Sequence, residues 1–377
     1  MNQKFYYSIL VSLACLFFYS CGGKASSGEK TLKDAFKNKF YIGTAMNERQ
    51  IMGQDTAGVT LIKAQFDAIV PENCMKSMNI HPEENRYVWD MADAYMKFGE
   101  DNNMWITGHC LIWHSQLPFW FCWDENRNLV SPEVLKKHMK DHISTVVGRY
   151  KGRIKGWDVV NEAIMEDGSY RNSAFYQILG EEFIDIAFQY AQEADPDCEL
   201  YYNDYNEWYP AKRATVVKLI QRLKSKGIRI DAIGMQGHVS MDSPTIAEYE
   251  ATINEYKAAG VKVMVTELDM SALPEPKGRP QSADISAMAE YEASVNPYPN
   301  GLPDDVSAKW NQKMGEFFAL FLKHQDVITR VTAWGDCDAN SWKNGFPVRG
   351  RVDYALLFDR NHQPKPVVEA LINGTIK

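Results

Sequence analysis

The chain has 377 residues, 45% hydrophobic and 24% charged, the profile of an ordinary globular protein with room for one large core or two medium domains. Its 41 basic and 49 acidic residues leave a net charge of −8 without a basic stripe. Phosphate backbones need clustered Lys and Arg, so nucleic acid is not an expected partner.

The first element is a leader. Lys4 precedes the apolar run FYYSILVSLACLFF, which has signal-peptide length and is short for a membrane span. YSCGG then sets Cys21 before two glycines, the pattern of a bacterial lipoprotein signal. Residues 1–20 are therefore expected to be removed and Cys21 to carry lipid; plain secretion with cleavage nearby is the alternative. The small polar residues after Cys21 make 21–35 an expected flexible tether. The folded domain is expected over 36–377, exported and facing the periplasm or the cell exterior.

Eight apolar runs read as strands: 40–46, 66–73, 103–109, 154–162, 198–204, 231–238, 261–269 and 327–335. Helical stretches lie between them. Ser131 and Pro132 open one as N-cap and first helical residue, with Val134, His138 and His142 on one stripe and Leu135, Met139, Ile143, Val146 and Tyr150 on the next. Two others end at Gly227 and Gly260, where glycine suits the left-handed turn past a helix. Strand–helix alternation means a parallel sheet, and eight units fit a single α/β domain of the (β/α)8 TIM-barrel type. An open doubly wound sheet is the runner-up, but GTAMNERQIMG after the first strand is not a GxGxxG phosphate loop. The Pro-, Ala- and Ser-rich stretch 273–305 reads as a long loop on the active face.

Polar residues collect at the strand C-termini, the face where barrels of this kind place their active sites. They are Asn47; Glu72, Asn73 and Lys76; His109, Trp113, His114 and Gln116; Asn161 and Glu162; Asn203, Asp204 and Tyr205; Gln236 and His238; Glu267 and Asp269; Trp334 and Trp342. Any one of them reads equally well as a cap or loop residue; the ring does not. Glu162 and Glu267 end strands four and seven and are expected to face each other across the mouth. A carboxylic acid opposed to a carboxylate is what glycosidic cleavage requires, provided their surroundings push the two pKa values apart. The 10 Trp and 19 Tyr would supply flat faces for sugar rings, or simply fill the core.

The segments PENCMK, GHCLIWHSQLP, WDVVNE, GMQGH, VTELDM and AWGDCDANSW, in this order, resemble the signatures of glycoside hydrolase family 10, the (β/α)8 endo-1,4-β-xylanases. The resemblance runs from GTAMN to LLFDRNHQPKP. It implies endo-acting hydrolysis of xylan with retention of configuration, xylan and xylo-oligosaccharides as partners, and no cofactor. It casts Glu162 as acid/base and Glu267 as nucleophile. Asn161 would hold the 2-hydroxyl of the sugar being cleaved, and His238 and Asp269 would keep the nucleophile ionised. His109 and Gln236 would bind the same sugar. Lys76, Asn73 and Glu72 would contact the next one, between the aromatic walls Trp113, Trp334 and Trp342. Tyr205 would be a platform on the leaving side; His114 and Gln116 are further contacts or structural.

Cys74 and Cys110 depart from the family's usual small residues and are expected in packing. Two readings stay open beside xylan: another β-1,4-glycan such as cellulose or mannan, and a catalytically silent sugar-binding lipoprotein. No metal is expected. There is no CxxC, and the five-residue spacing of His109 and His114 is not that of HExxH. No protein partner is implied, and no disulfide between Cys110 and Cys122 follows from the sequence.

Overall fold

The computed structural model describes residues 30–275 and 293–376. The leader, Cys21 and most of the expected tether lie outside the described residues, as does the middle of the 273–305 loop. The folded unit starts at Thr31 rather than at residue 36. Thr31 and Asp34 form a reciprocal capping box at the start of the helix Leu32–Phe36. Leu32 and Phe36, four apart on one face, are buried in the main core. That buried pair places residues 31–35 in the domain.

Among the described residues nine parallel strands follow: β1 (Tyr41–Met46), β2 (Ala68–Pro71), β3 (Trp105–Trp113), β4 (Gly156–Asn161), β5 (Glu199–Asp204), β6 (Ala232–Met235), β7 (His238–Ser240), β8 (Lys262–Ser271) and β9 (Ile328–Ala333). β1 pairs with both β2 and β9, and β6 pairs with β8, so β1–β6, β8 and β9 close into an eight-stranded ring with helices between the strands. This is the (β/α)8 barrel, and closure rules out the open sheet. Strands covered on both sides become continuous apolar runs; in β8 every residue from Val263 to Ser271 is buried.

Two strands differ from expectation in ways that shape the site. The sixth run splits at Gln236–Gly237, and β7 continues it over the mouth, pairing His238 with Asp269 of β8. Gly237 has φ +78, and a Cβ there would stand 2.9 Å from a Val265 methyl. Only glycine makes this break without strain and collision. The third run continues past His109 to Trp113, with a register shift against β4 between His109 and Ile112. Such irregularities re-aim side chains near active sites.

The helices follow their sequence punctuation. Ser131 accepts the Val134 N–H at the start of Pro132–Arg149, and Gly227 and Gly260 take φ +70 and +76. The expected stripe of Val134, His138 and His142 divides: both histidines are buried, whereas Val134 is 39% exposed. Cys74, Cys110, Cys122, Cys198 and Cys337 are free buried thiols.

Candidate active site

β4 ends in an amide and a carboxylate because the chain turns there. Asn161 is the last strand residue, and Glu162 takes φ +58, a left-handed conformation that costs a non-glycine residue about 1–3 kcal/mol. The Glu162 N–H donates to the Asn203 carbonyl at 2.9 Å, which holds the turn to β5. Both side chains thereby enter the mouth of the barrel.

There they meet the other expected residues around a cavity of about 150 Å³. Its floor is Asn161, Glu162, Gln236, His238 and Glu267. Its walls are Glu72, Asn73 and Lys76 on one side, His109, Trp113 and Gln116 on another, with Trp334 and Trp342 closing it. Asp269 sits directly behind His238, fully buried. His114 is outside this lining.

Glu162 is 6% exposed. Its Oε2 accepts the Trp113 indole N–H at 2.8 Å, and its Oε1 accepts from Gln236 at 3.0 Å and Asn161 at 3.3 Å. Burial raises its pKa to about 7, and the charges of Asp204 and Glu267 add to that, against the opposing hydrogen bonds from Gln236 and Trp113. Glu162 therefore keeps a proton near neutrality. The Asn161 carbonyl accepts from Asn203 at 2.9 Å and Gln236 at 3.3 Å, which fixes the amide with its NH2 toward Glu162.

Glu267 is as deeply buried, yet its pKa is lowered. Burial opposes ionisation most strongly, but the hydrogen bond from His238, the neighbouring imidazoles and the Asn203 amide together outweigh it. His238 Nε2 lies 3.2 Å from Glu267 Oε2, and its Nδ1 lies 3.0 Å from Asp269 Oδ2. Burial disfavours charge on this imidazole, but the Asp269 carboxylate, reinforced by Glu267, raises it to about 9. Asp269 is itself held ionised by His238 and by Lys343 at 3.8 Å, and it accepts the Trp342 indole N–H at 2.6 Å. The pKa values of two glutamates on one cavity are thus pushed in opposite directions.

The remaining walls are polar and aromatic. Lys76 donates to Asn73 at 3.0 Å and lies 4.9 Å from the Trp113 ring centroid. His109 Nδ1 pairs with Asp158 at 2.8 Å, and the His109 ring meets the edge of Trp334. Tyr205 differs from the open platform expected of it. It is 1% exposed, its hydroxyl accepts from Arg171, and the Lys212 ammonium lies 4.2 Å from its ring centroid. Packing from the neighbouring loop and helix covers that ring. Asn47 proves to be a cap: it and Gln50 form a capping box on the helix Glu48–Ile51.

Asn203 is the contributor to which the sequence assigned no role. Its NH2 group donates to Asn161 and, at 2.8 Å, to Glu267 Oε1, while its carbonyl accepts from Thr266 at 2.6 Å. The signal was present as an amide directly after Leu200–Tyr202 of β5, but its partners come from β4 and β8.

An acid and an anion, both carboxyl, across the mouth of a (β/α)8 barrel and among aromatic walls define a glycoside hydrolase of the two-carboxylate class. The family model for glycosyl hydrolase family 10 matches residues 31–374. The endo-1,4-beta-xylanase A of Xylanibacter ruminicola is 48% identical, over 92% of this chain and 94% of that protein. The endo-1,4-beta-xylanase of Geobacillus stearothermophilus is 38% identical, over 91% and 98%. A solved GH10 endoxylanase from a sugarcane soil metagenome superposes with a TM-score of 0.88 at 44% identity, over 91% of this chain and 99% of that one. The chain belongs to glycosyl hydrolase family 10.

Proposed function

We infer that the protein hydrolyses internal β-1,4 links of xylan with retention of configuration. The observation that carries the reading is the split ionisation of Glu162 and Glu267 on one cavity, in a chain whose relatives are xylanases. Glu267 attacks the anomeric carbon as the anion while Glu162 gives its proton to the leaving oxygen. A covalent glycosyl-enzyme forms, and Glu162, now a base, activates the water that releases it. The Asn161 NH2 group is oriented to bind the 2-hydroxyl beside the reacting carbon, where a bond strengthens as the transition state forms. A silent binding protein has no need of an anionic Glu267 supported by His238 and Asp269, so the non-catalytic reading is disfavoured. Release of reducing ends from xylan, cellulose and mannan, measured side by side, should be fast on xylan alone. Equal rates on cellulose or mannan would overturn the substrate class, and no release from any would overturn catalysis.

The pH dependence follows from the same pair. Glu162 must be protonated, and its pKa is about 7, so kcat/KM should fall as pH rises through that value. Glu267 must be ionised, and its pKa is depressed, so the acid limb should lie below the ordinary carboxylate range. A pH–rate profile still climbing about two units above the Glu162 value would remove it as the acid.

The leader suggests where this happens. The apolar run and the Cys21–Gly22–Gly23 sequence support export and lipid attachment at Cys21, with the barrel tethered to a membrane. Cell fractionation should find the wild type with membranes and Cys21→Ala in the soluble fraction. A wild type wholly soluble would leave ordinary secretion.

A further inference from the structure

Asp336 and Cys337 follow β9 just beyond Trp334, and His362 stands in the turn before the C-terminal helix Pro366–Ile372. A carboxylate oxygen, a thiol sulfur and an imidazole nitrogen from these three residues all lie within 4.8 Å of one another. Asp336 and Cys337 are 1% and 0% exposed. Cleavage of a glycosidic bond uses none of them.

Two of the three donor atoms are unsatisfied. Asp336 Oδ1 accepts the Asn340 amide at 2.8 Å, but Oδ2 has no hydrogen-bond partner, and neither has His362 Nε2. These two atoms face each other at 3.6 Å. That is longer than a hydrogen bond of about 2.7–3.2 Å. It is near the spacing of two ligands that each stand roughly 2.0–2.2 Å from one tetrahedral ion. Buried polar atoms are rarely left unpaired, so the pair needs an explanation. The Asn340 amide also donates to Asp55 Oδ2 at 3.1 Å, which fixes the Asp336 carboxylate with its free oxygen toward His362. Gly58 makes room: a Cβ there would stand 2.8 Å from Asp336 Oδ2 and 2.5 Å from Asp55 Oδ2.

We propose that Asp336, Cys337 and His362 bind one divalent cation of the zinc class, with water completing the shell, as a brace outside the catalytic cavity. The donor set selects the metal. Thiolate and imidazole suit a borderline-soft ion, whereas calcium and magnesium take oxygen ligands alone. Binding exchanges the thiol proton for the metal–sulfur bond, and that proton leaves to solvent. Because the bound ligand is the thiolate, a net release of one proton accompanies binding at neutral pH. The His362 side chain is 23% exposed and opens the route in. The ion would join the segment carrying Trp334 and Trp342 to the C-terminal turn, so it should stiffen that wall and raise Tm.

The test reads metal binding and not activity, so it stands apart from the xylan assignment. The mature chain, stripped with chelator, is titrated with Zn2+ against a chromophoric competitor, and separately with Co2+. The expected results are one equivalent bound, a thiolate-to-cobalt charge-transfer band and a higher Tm with Zn2+. Cys337→Ser should lose the band, and both it and His362→Ala should weaken Zn2+ binding at least about tenfold. Absence of the band in the folded wild type overturns the proposal whether or not the variants fold. Persistence of the band in Cys337→Ser, or unchanged Zn2+ affinity in it, overturns it as well.

Discussion

Glu267→Ala should abolish turnover, with a loss of about 10⁵–10⁶-fold in kcat on xylan and on activated aryl xylosides alike. Removing the nucleophile stops formation of the glycosyl-enzyme, which every substrate must pass whatever its leaving group. Glu72 is the third carboxyl on the cavity wall, but it does not replace Glu267. Burial pushes Glu72 toward its neutral form, only partly countered by Lys76. The hydrogen bonds from His238 and Asn203 are made to Glu267. Added azide should enter the vacated space, attack the sugar directly and give the inverted α-glycosyl azide. Aryl xyloside turnover within tenfold of wild type would remove Glu267 from the nucleophile's role.

Glu162→Ala should divide the substrates instead. On xylan, where the leaving group is a sugar hydroxyl, kcat should drop about 10²–10⁴-fold, the usual worth of a positioned acid. A dinitrophenyl xylobioside needs no proton to depart, so its first step should remain near the wild-type rate. The slow step then becomes release of the intermediate, because the base is gone as well. Azide should accelerate that step and yield the β-glycosyl azide, the opposite anomer from the Glu267 variant. Equal losses on both substrates, with no azide product, would mean that Glu162 does not act as the acid.

Much of the site could be read along the chain because each piece is local. Asn161 and Glu162 sit at the end of β4, Gln236 and His238 flank the break between β6 and β7, Glu267 and Asp269 lie in the C-terminal half of β8, and the barrel topology delivers all three to the same mouth. What stayed hidden depends on contacts between distant segments. Tyr205 has the right place for a platform, but only the packed structure shows Lys212 over its ring. Asn203 looks like any strand-end amide until Asn161 and Glu267 are set within reach of its NH2 group. The break at Gly237 reads as one more residue in an apolar run, although the positive φ there is what allows Gln236 and His238 both to line the cavity. Residues 31–35 follow a Gly- and Ser-rich stretch and read as its continuation, yet Leu32, with Phe36 one turn on, is drawn into the core.

The sequence by itself determined the barrel and the identity of the two carboxylates. Alternating buried strands and amphipathic helices, each closed by its own caps and glycines, admit few topologies, and local periodicity expresses them without reference to distant residues. Only the tertiary structure supplied the physical reason why Glu162 is the acid and Glu267 the anion, roles that the family resemblance assigned without one. Glu162 and Glu267 are chemically identical and each follows an apolar stretch of its own strand, so nothing in the immediate sequence separates them physically. Both are desolvated. Glu162 meets that burial with neutral indole and amide donors and stays protonated near neutrality. Glu267 meets it with an imidazolium that Asp269 keeps charged from behind, and it stays ionised. Ionisation in a buried site is set by the charges and dipoles within a few ångströms, and these arrive from other strands only when the barrel closes.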